Sequence, residues 1–304
     1  MNAVIEISHL SKAFKDIQAV DDLSFQVREG ELFAFLGING AGKSTTISIL
    51  SGLLAKDRGK VIVDGFDLDE DSVSYKSRIG VVYQHSLLDK KLTVKENLEV
   101  RAALYGMTKK EFVRHLNDLA ARLDFANLLS RPLGKLSGGQ RRKIDIARAL
   151  IHQPKILILD EPTTGLDPKT RKQVWKVIAD LRKEKNLSVL LTTHYMEEAG
   201  DADYVVIIDE GKICAEGTPL ELKNRYACDF ISLYGADEGE LGLLGKPYEK
   251  IAGGYRIEVR DTAQATEMIL AHPELFRDYE IVKGKMDDVF LSATGKRLNE
   301  ENAR

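Results

Sequence analysis

Apolar side chains recur in short alternating stretches between residues 4 and 27, Val4, Ile5 and Ile7 and then Leu23, Phe25 and Val27, with Lys12, Asp16 and Asp21 between them. Alternation with period two, interrupted by turn-forming residues, predicts antiparallel strands with one buried face. The pattern changes at Leu32–Leu36, an unbroken apolar run that ends at Gly37 and leads through a glycine-rich turn into Thr45–Leu54. That order predicts a buried strand, a tight loop and a helix. From about residue 93 to 153 the signals are helical. Thr93 with Glu96 and Thr108 with Glu111 fit capping boxes, and Phe112, Leu116, Leu119 and Leu123 share one helical face. Beyond this insert come a strand at Ile156–Leu159, an amphipathic helix marked by Val174, Val177, Ile178 and Leu181, and strands at Val189–Thr192 and Tyr204–Ile208. Strands and helices in alternation predict a parallel α/β sheet. Thr218-Pro219 with Glu221 opens a further helix.

After Tyr226 the pattern weakens to short strands at Phe230–Leu233, Tyr255–Val259 and Tyr279–Val282, a helix near Thr266–Leu270 and the glycine-bearing stretch Gly235–Gly245. The expected organisation is a large α/β domain over 1–222, with an antiparallel β subdomain and a helical subdomain at about 93–153, followed by a small α+β accessory domain over 226–304. Arg297 to Arg304 reads as a frayed polar tail.

The 304 residues include 44 Lys+Arg and 47 Asp+Glu with 43% hydrophobic positions, the balance of a soluble globular protein. The longest apolar runs are strand-sized, well short of the roughly 18–20 residues that cross a bilayer. The N-terminus lacks a basic region followed by an apolar core, so a cytoplasmic chain is expected. Cys214 and Cys228 are too few for a disulfide framework or a cysteine zinc site. A net charge of −3 gives no general electrostatic case for a nucleic-acid partner.

Residues 37–44 read GINGAGKS, which satisfies G-x-x-x-x-G-K-[ST] between a predicted strand and a predicted helix, the context that motif requires. Gly37, Gly40 and Gly42 let backbone N–H groups turn toward a polyphosphate, and the helix directs its positive end at the same anion. Lys43 supplies a cation for the β- and γ-phosphates, and Ser44 offers a hydroxyl to Mg²⁺. Asn39, Ala41 and Thr45 complete the expected nucleotide-binding run. Asp160 and Glu161 close the strand at Ile156–Leu159, at the end where ligands of open parallel sheets collect. Asp160 is the candidate to hold Mg²⁺, and Glu161, expected on the other side of the strand, to polarise an attacking water as general base. With the phosphate loop, this pair points to a nucleotide hydrolase; a kinase would need an acceptor site, which the sequence does not offer. Leu136–Gln140 reads LSGGQ, where Ser137 is a natural helix N-cap and Gly138 and Gly139 expose the first-turn N–H groups, a second place suited to phosphate.

In this order, GINGAGKS, Gln84, LSGGQ, ILILDE, GLD at 165–167 and His194 make residues 1 to about 220 resemble the nucleotide-binding domain of ATP-binding-cassette transporters, a P-loop NTPase fold. The resemblance implies ATP and Mg²⁺ as cofactors and a head-to-tail dimer. In it, Ser137, Gly138, Gly139 and Gln140 act in trans on ATP held by the partner's phosphate loop. It further implies that Phe14 stacks on adenine, where the family often has Tyr, and that Gln84 senses Mg²⁺ and couples to a separate membrane permease. Asp167 would signal across the dimer and His194 would contact the γ-phosphate. Ile38 stands where a proline is common in the family.

RRKIDIARALIHQPKILILDEPTTGLDP and MDDVFLSATGK (286–296) are similar to ABC-2 type drug- and antibiotic-resistance exporter ATPases, whose tail carries a (E/D)-D-V-F-L-x-x-T-G pattern matched by Asp287, Asp288, Val289, Phe290 and Leu291. The same residues read equally as an amphipathic helix packing Val289 and Phe290 into the small domain. The expectation is an ATPase subunit that dimerises on ATP, sits on the inner face of the membrane through its permease and drives export. An importer ATPase shares the core. A soluble cassette ATPase acting on ribosomes or DNA would carry two cassettes or a coiled-coil insertion, and this chain has a single phosphate loop.

Overall fold

The computed structural model describes residues 2–193 and 195–295. His194 and the tail at 297–304 lie outside the described residues. The chain opens with a long hairpin, β1 (Ala3–Phe14) and β2 (Ile17–Arg28), then β3 (Leu32–Leu36), α1 (Lys43–Leu50), β4 (Arg58–Val63), β5 (Phe66–Asp67), α2 (Ser72–Arg78) and β6 (Ile79–Val82). The helical stretch supplies α3 (Val94–Leu104), α4 (Lys109–Arg122) and α5 (Gly138–Leu150). It returns to β7 (Ile156–Asp160), α6 (Pro168–Lys185), β8 (Ser188–Thr193), α7 (Met196–Gly200), β9 (Tyr204–Asp209), β10 (Lys212–Gly217) and α8 (Pro219–Tyr226). The remainder forms β11 (Asp229–Tyr234), α9 (Glu238–Leu241), β12 (Tyr248–Ile251), β13 (Gly254–Val259), α10 (Thr262–Ala271), β14 (Tyr279–Val282) and α11 (Met286–Thr294).

Two compact units result, one containing the chain through 193 with Ala202–Ile213, the other Tyr195–Asp201 with the chain from Cys214 onward. In the first, β10-β9-β3-β8-β7-β6 form a six-stranded sheet in which β3, β6, β7, β8 and β9 pair in parallel. β2-β1-β4-β5 form an antiparallel sheet, as the alternation in residues 4–27 predicts for its first two strands. The register of β1 against β2 shifts at several places, among them between Ile7 and Leu10, where His9 takes a left-handed conformation at φ 53°. The inward faces of both sheets meet in one core, where Phe25 packs on Phe33 and Phe35 with ring centroids 5.2 and 5.3 Å apart. Each fully buried side chain of this size contributes about 1.5–3 kcal/mol by leaving water.

The helical insert follows the predicted cap signals closely. Both threonine capping boxes are present, and α4 buries Phe112, Leu116 and Leu119 on the expected stripe. Asn97 of α3 pins the preceding loop: its amide donates to the carbonyls of Asp89 and Thr93 at 3.0 Å and accepts from Asp89 N–H at 2.9 Å. α5 is buried over nearly its whole length, charged side chains included.

The second unit has an antiparallel sheet in the order β12-β13-β11-β14. Ile231, Leu233, Ile257 and Val259 on one face pack with Ala265 of α10 and with Phe276. α11 lies against α7 and α8 and buries Val289 and Phe290, the packing expected of an amphipathic helix there. β12, whose four residues are polar or half-exposed, carries no apolar alternation by which sequence could have found it.

His152, just beyond α5, donates Nε2–H to the Ile79 carbonyl at 3.0 Å and stacks on Tyr105 at a centroid distance of 3.8 Å. Burial pushes its imidazole down from 6.5 to about 4. Between these values the unfolded chain binds the proton that the folded chain refuses, so this contribution to stability is complete above pH 6.5 and is lost as pH falls toward 4. Urea unfolding at pH 7 and pH 4 is therefore expected to show a larger acid loss for the wild type than for His152→Gln, by up to about 3 kcal/mol; equal losses would show that His152 titrates normally.

Candidate functional site

The phosphate loop joins the C-terminal end of β3 to α1, and sterics explain its glycines. Gly42 caps α1 at φ 105°, and a Cβ there would lie 2.4 Å from the Ala19 carbonyl oxygen. A Cβ on Gly37 would lie 2.7 Å from the Ile208 carbonyl oxygen. These contacts seat the loop between β2 and β9, with Ala41 accepting a hydrogen bond from Gly211 N–H at 3.1 Å. Lys43 is buried, its ammonium donating to the carbonyls of Gly37 at 2.6 Å and Ile38 at 3.0 Å within its own loop. Asn39, Gly40 and Ser44 are exposed and Thr45 is half-buried. No acidic side chain occupies the first turn of α1. Phe14 pairs with Ile17 at the hairpin tip and is 46% exposed, so it is not a core residue, and the Lys12 ammonium lies 5.6 Å from its ring centroid.

β7 delivers the two carboxylates. Asp160 is buried at the strand end and accepts from the Thr192 hydroxyl at 2.6 Å. Burial raises its carboxyl, the Thr192 bond and the Lys43 charge opposing. Glu161 leaves the strand in a left-handed conformation at φ 46°, so the side-to-side alternation expected from a continuing strand ends before it. Its N–H donates to the Thr192 carbonyl and hydroxyl at 3.1 and 3.2 Å. Its carboxylate accepts from the Gln84 amide and from the Thr164 hydroxyl, each at 3.3 Å. The structure thus brings Gln84, 77 positions away in sequence, onto Glu161.

LSGGQ caps α5 as its composition predicts: Ser137 Oγ accepts from Gln140 N–H at 3.3 Å, and Gln140 returns the bond to Ser137 N–H at 3.0 Å. Ser137 and Gly138 are exposed. Asp167 caps α6 through Thr170, whose N–H and hydroxyl donate at 3.0 and 2.6 Å and hold its carboxyl below the usual range. Gly139 adjoins this cap, an added Cβ lying 3.6 Å from the Thr170 side chain.

A family profile described as ABC transporter matches residues 20–164. Nod factor export ATP-binding protein I of Sinorhizobium fredii (strain NBRC 101917 / NGR234) is 36% identical over 98% of this chain and 88% of its own. Daunorubicin resistance ATP-binding protein DrrA2 of Streptomyces coeruleorubidus is 34% identical over 97% of this chain and 96% of its own. The chain belongs to the ABC transporter family. It is an ATP-binding, ATP-hydrolysing subunit of that family, and it is similar in fold to a dimeric ATP-binding cassette solved in a post-hydrolysis state with ADP and Pi. That likeness has a TM-score of 0.66 and 26% identity, covering 71% of this chain and 98% of the other.

In this ABC ATPase two supports of the site carry no motif signal. Thr192 holds both Asp160 and the Glu161 backbone, yet reads as the end of an apolar strand. Arg142, inside the basic run RRK, is 8% exposed and donates to the carbonyls of Pro162 at 2.6 Å, Tyr83 at 2.5 Å, Glu161 at 2.9 Å and Asp160 at 3.2 Å. Nothing in the sequence set Arg142 apart, because it shares a charged stripe of the helix with Arg141, Asp145 and Arg148.

Gly42→Ala forces a side chain into a left-handed position against the Ala19 carbonyl and should weaken ATP binding at least about tenfold while far-UV circular dichroism is retained. Titration with a fluorescent ATP analogue checks this, and unchanged affinity would mean that the loop tolerates another path.

Proposed function

We propose that this ABC ATPase closes as a dimer around two ATP molecules and thereby drives a separate membrane permease toward export, with hydrolysis resetting the cycle. The observation that carries the reading is the meeting of Gln84 and Glu161 beside Asp160, at the strand ends that also present the phosphate loop. Glu161 is the general base for the attacking water, and Gln84 orients that carboxylate. Lys43, with the N–H groups of Gly40, Gly42, Ser44 and Thr45, binds the phosphates, and Phe14 offers its exposed ring to adenine. His194 is assigned to the γ-phosphate from the family resemblance.

The donors near the loop suit Mg²⁺: a hydroxyl at Ser44, a carboxylate at Asp160 and an amide oxygen at Gln84 are hard oxygen ligands. Among the described residues no group of three or more His, Cys, Asp or Glu gathers as a self-sufficient metal site. This fits an ion that keeps its waters and shares the substrate phosphates. Bound there, Mg²⁺ would neutralise charge on the β- and γ-phosphates.

Dimerisation follows from the exposed Ser137 and Gly138, which offer first-turn N–H groups to an anion. Ser137, Gly138, Gly139 and Gln140 would take the partner's ATP, with Asp167 beside Gly139 at the same surface. Shifting such a subunit from mostly open to mostly closed needs about 5 kcal/mol of differential affinity, which two sandwiched nucleotides can supply. Among the described residues no helix is long and apolar enough to cross a membrane; in this reading a separate permease provides the path and holds the subunit at the cytoplasmic face. Export is supported by the DDVFL tail and by the names of the two relatives above. The ATPase domain is taken as 1–222 and the accessory domain as 226–304.

Glu161→Gln should bind ATP but turn it over at least about 10²-fold more slowly, read by phosphate release; wild-type turnover would assign the base elsewhere. Lys43→Ala and Ser137→Arg should each be inactive alone, yet regain ATPase when mixed. Their heterodimer keeps one composite site free of both changes, whereas action within a single chain predicts no recovery.

A further inference from the structure

β6 is the edge strand of the parallel sheet and pairs on one side only, with β7. Carbonyls of successive residues along a strand face opposite sides, so those of Ile79, Val81 and Tyr83 share one edge. That edge is occupied by side chains of α5 and the turn after it. His152 Nε2 donates to Ile79 at 3.0 Å, Arg148 donates to Val81, and Arg142 Nη1 donates to Tyr83 at 2.5 Å. Asp145, between them on α5, accepts from the Ser86 hydroxyl at 2.8 Å, two residues past Gln84. The helix that begins at the LSGGQ cap therefore stands in for the missing neighbouring strand, directly along the segment that carries Gln84.

Arg142 extends this grip to the hydrolytic end of β7. Its Nη2 donates to the Asp160 and Glu161 carbonyls and its Nε to Pro162. Glu161 is held in a left-handed conformation that a glutamate seldom adopts. Its N–H is taken by Thr192 and its carbonyl by Arg142, so both ends of the residue are fixed from outside. Burial lowers the Arg142 guanidinium, but the carboxylates of Asp145, Asp160 and Glu161 oppose that shift, and it remains a cation.

We propose that Arg142 is a positioning residue for hydrolysis: it sets the Glu161 backbone and the Gln84 segment together, and ties both to the helix whose first turn receives the partner's ATP. This rests on Glu161 being the general base. Engagement of Ser137 by nucleotide in trans is then relayed through α5 to the carboxylate of the same chain's own site. The Gln84–Glu161 bond joins the same two segments through their side chains, whereas Arg142 holds both by their backbone carbonyls.

The test is a double-mutant cycle on the full-length protein, reading ATP affinity with a fluorescent analogue and turnover by phosphate release. Arg142→Met should leave affinity within about threefold while lowering kcat by about 10²-fold, the loss expected from a misplaced base. In the Glu161→Gln background the same change should cost less than about threefold, because the group that it positions is already gone. Arg142→Lys keeps the buried cation but not the planar fork and should fall between wild type and Met. Should Arg142→Met not fold, the cycle with Arg142→Lys decides. Unchanged kcat, or equal fold-losses in both backgrounds, would overturn the proposal and leave Arg142 a purely structural residue. Wild-type turnover by Glu161→Gln alone would overturn the base assignment and this inference with it, an outcome visible before Arg142 is touched.

Discussion

One buried guanidinium joins the parts of this ATPase that must act together. Arg142 leaves α5 four residues after its first turn begins and divides its donors among four backbone carbonyls from two segments that are far apart in sequence. Removing a cation from water costs several kcal/mol unless its protons are met and its charge is opposed. Here the carbonyl dipoles meet the protons, and Asp145 and Asp160, both buried, oppose the charge. The converse also holds, since an apolar side chain in place of the arginine would take this partner from the carbonyls of Tyr83, Asp160, Glu161 and Pro162.

The same economy of shared groups recurs around it. Thr192 gives its hydroxyl proton to Asp160 and accepts from the Glu161 N–H, so one residue of β8 holds the Asp160 carboxylate and the Glu161 backbone together. Lys43 bonds to the carbonyls of Gly37 and Ile38 in its own loop, which places the ammonium inside the loop. Gly42 and Gly37 permit this by letting the loop press against Ala19 and Ile208 at distances that no side chain allows. Binding, positioning and strand-edge satisfaction are thus served by one network, and the low dielectric of the interior makes each bond in it consequential.

Local chemistry was largely legible in the chain. Capping boxes at Thr93, Thr108, Ser137 and Thr218 involve residues three apart, so sequence alone specifies both partners, and all four formed. The phosphate loop was readable for the same reason, its glycines and lysine lying within eight consecutive positions. The apolar runs that became β3, β7 and β8 were readable because strands buried on both faces have no polar side to show. The short, half-exposed strands β5 and β12 had no such signature.

The amino-acid sequence by itself therefore determined the longer buried or capped elements, the family and the residue types of the site, since these depend on neighbours within about one helical turn or on the period of burial. Only the tertiary structure decided which strand lies at the edge of the sheet, that Arg142, Arg148 and His152 would satisfy it, and that Gln84 would meet Glu161 across 77 residues. Those are contacts between segments distant along the chain. Their partners are selected by strand order and by the demand that buried polar groups be paired, and neither is written in any local stretch of residues.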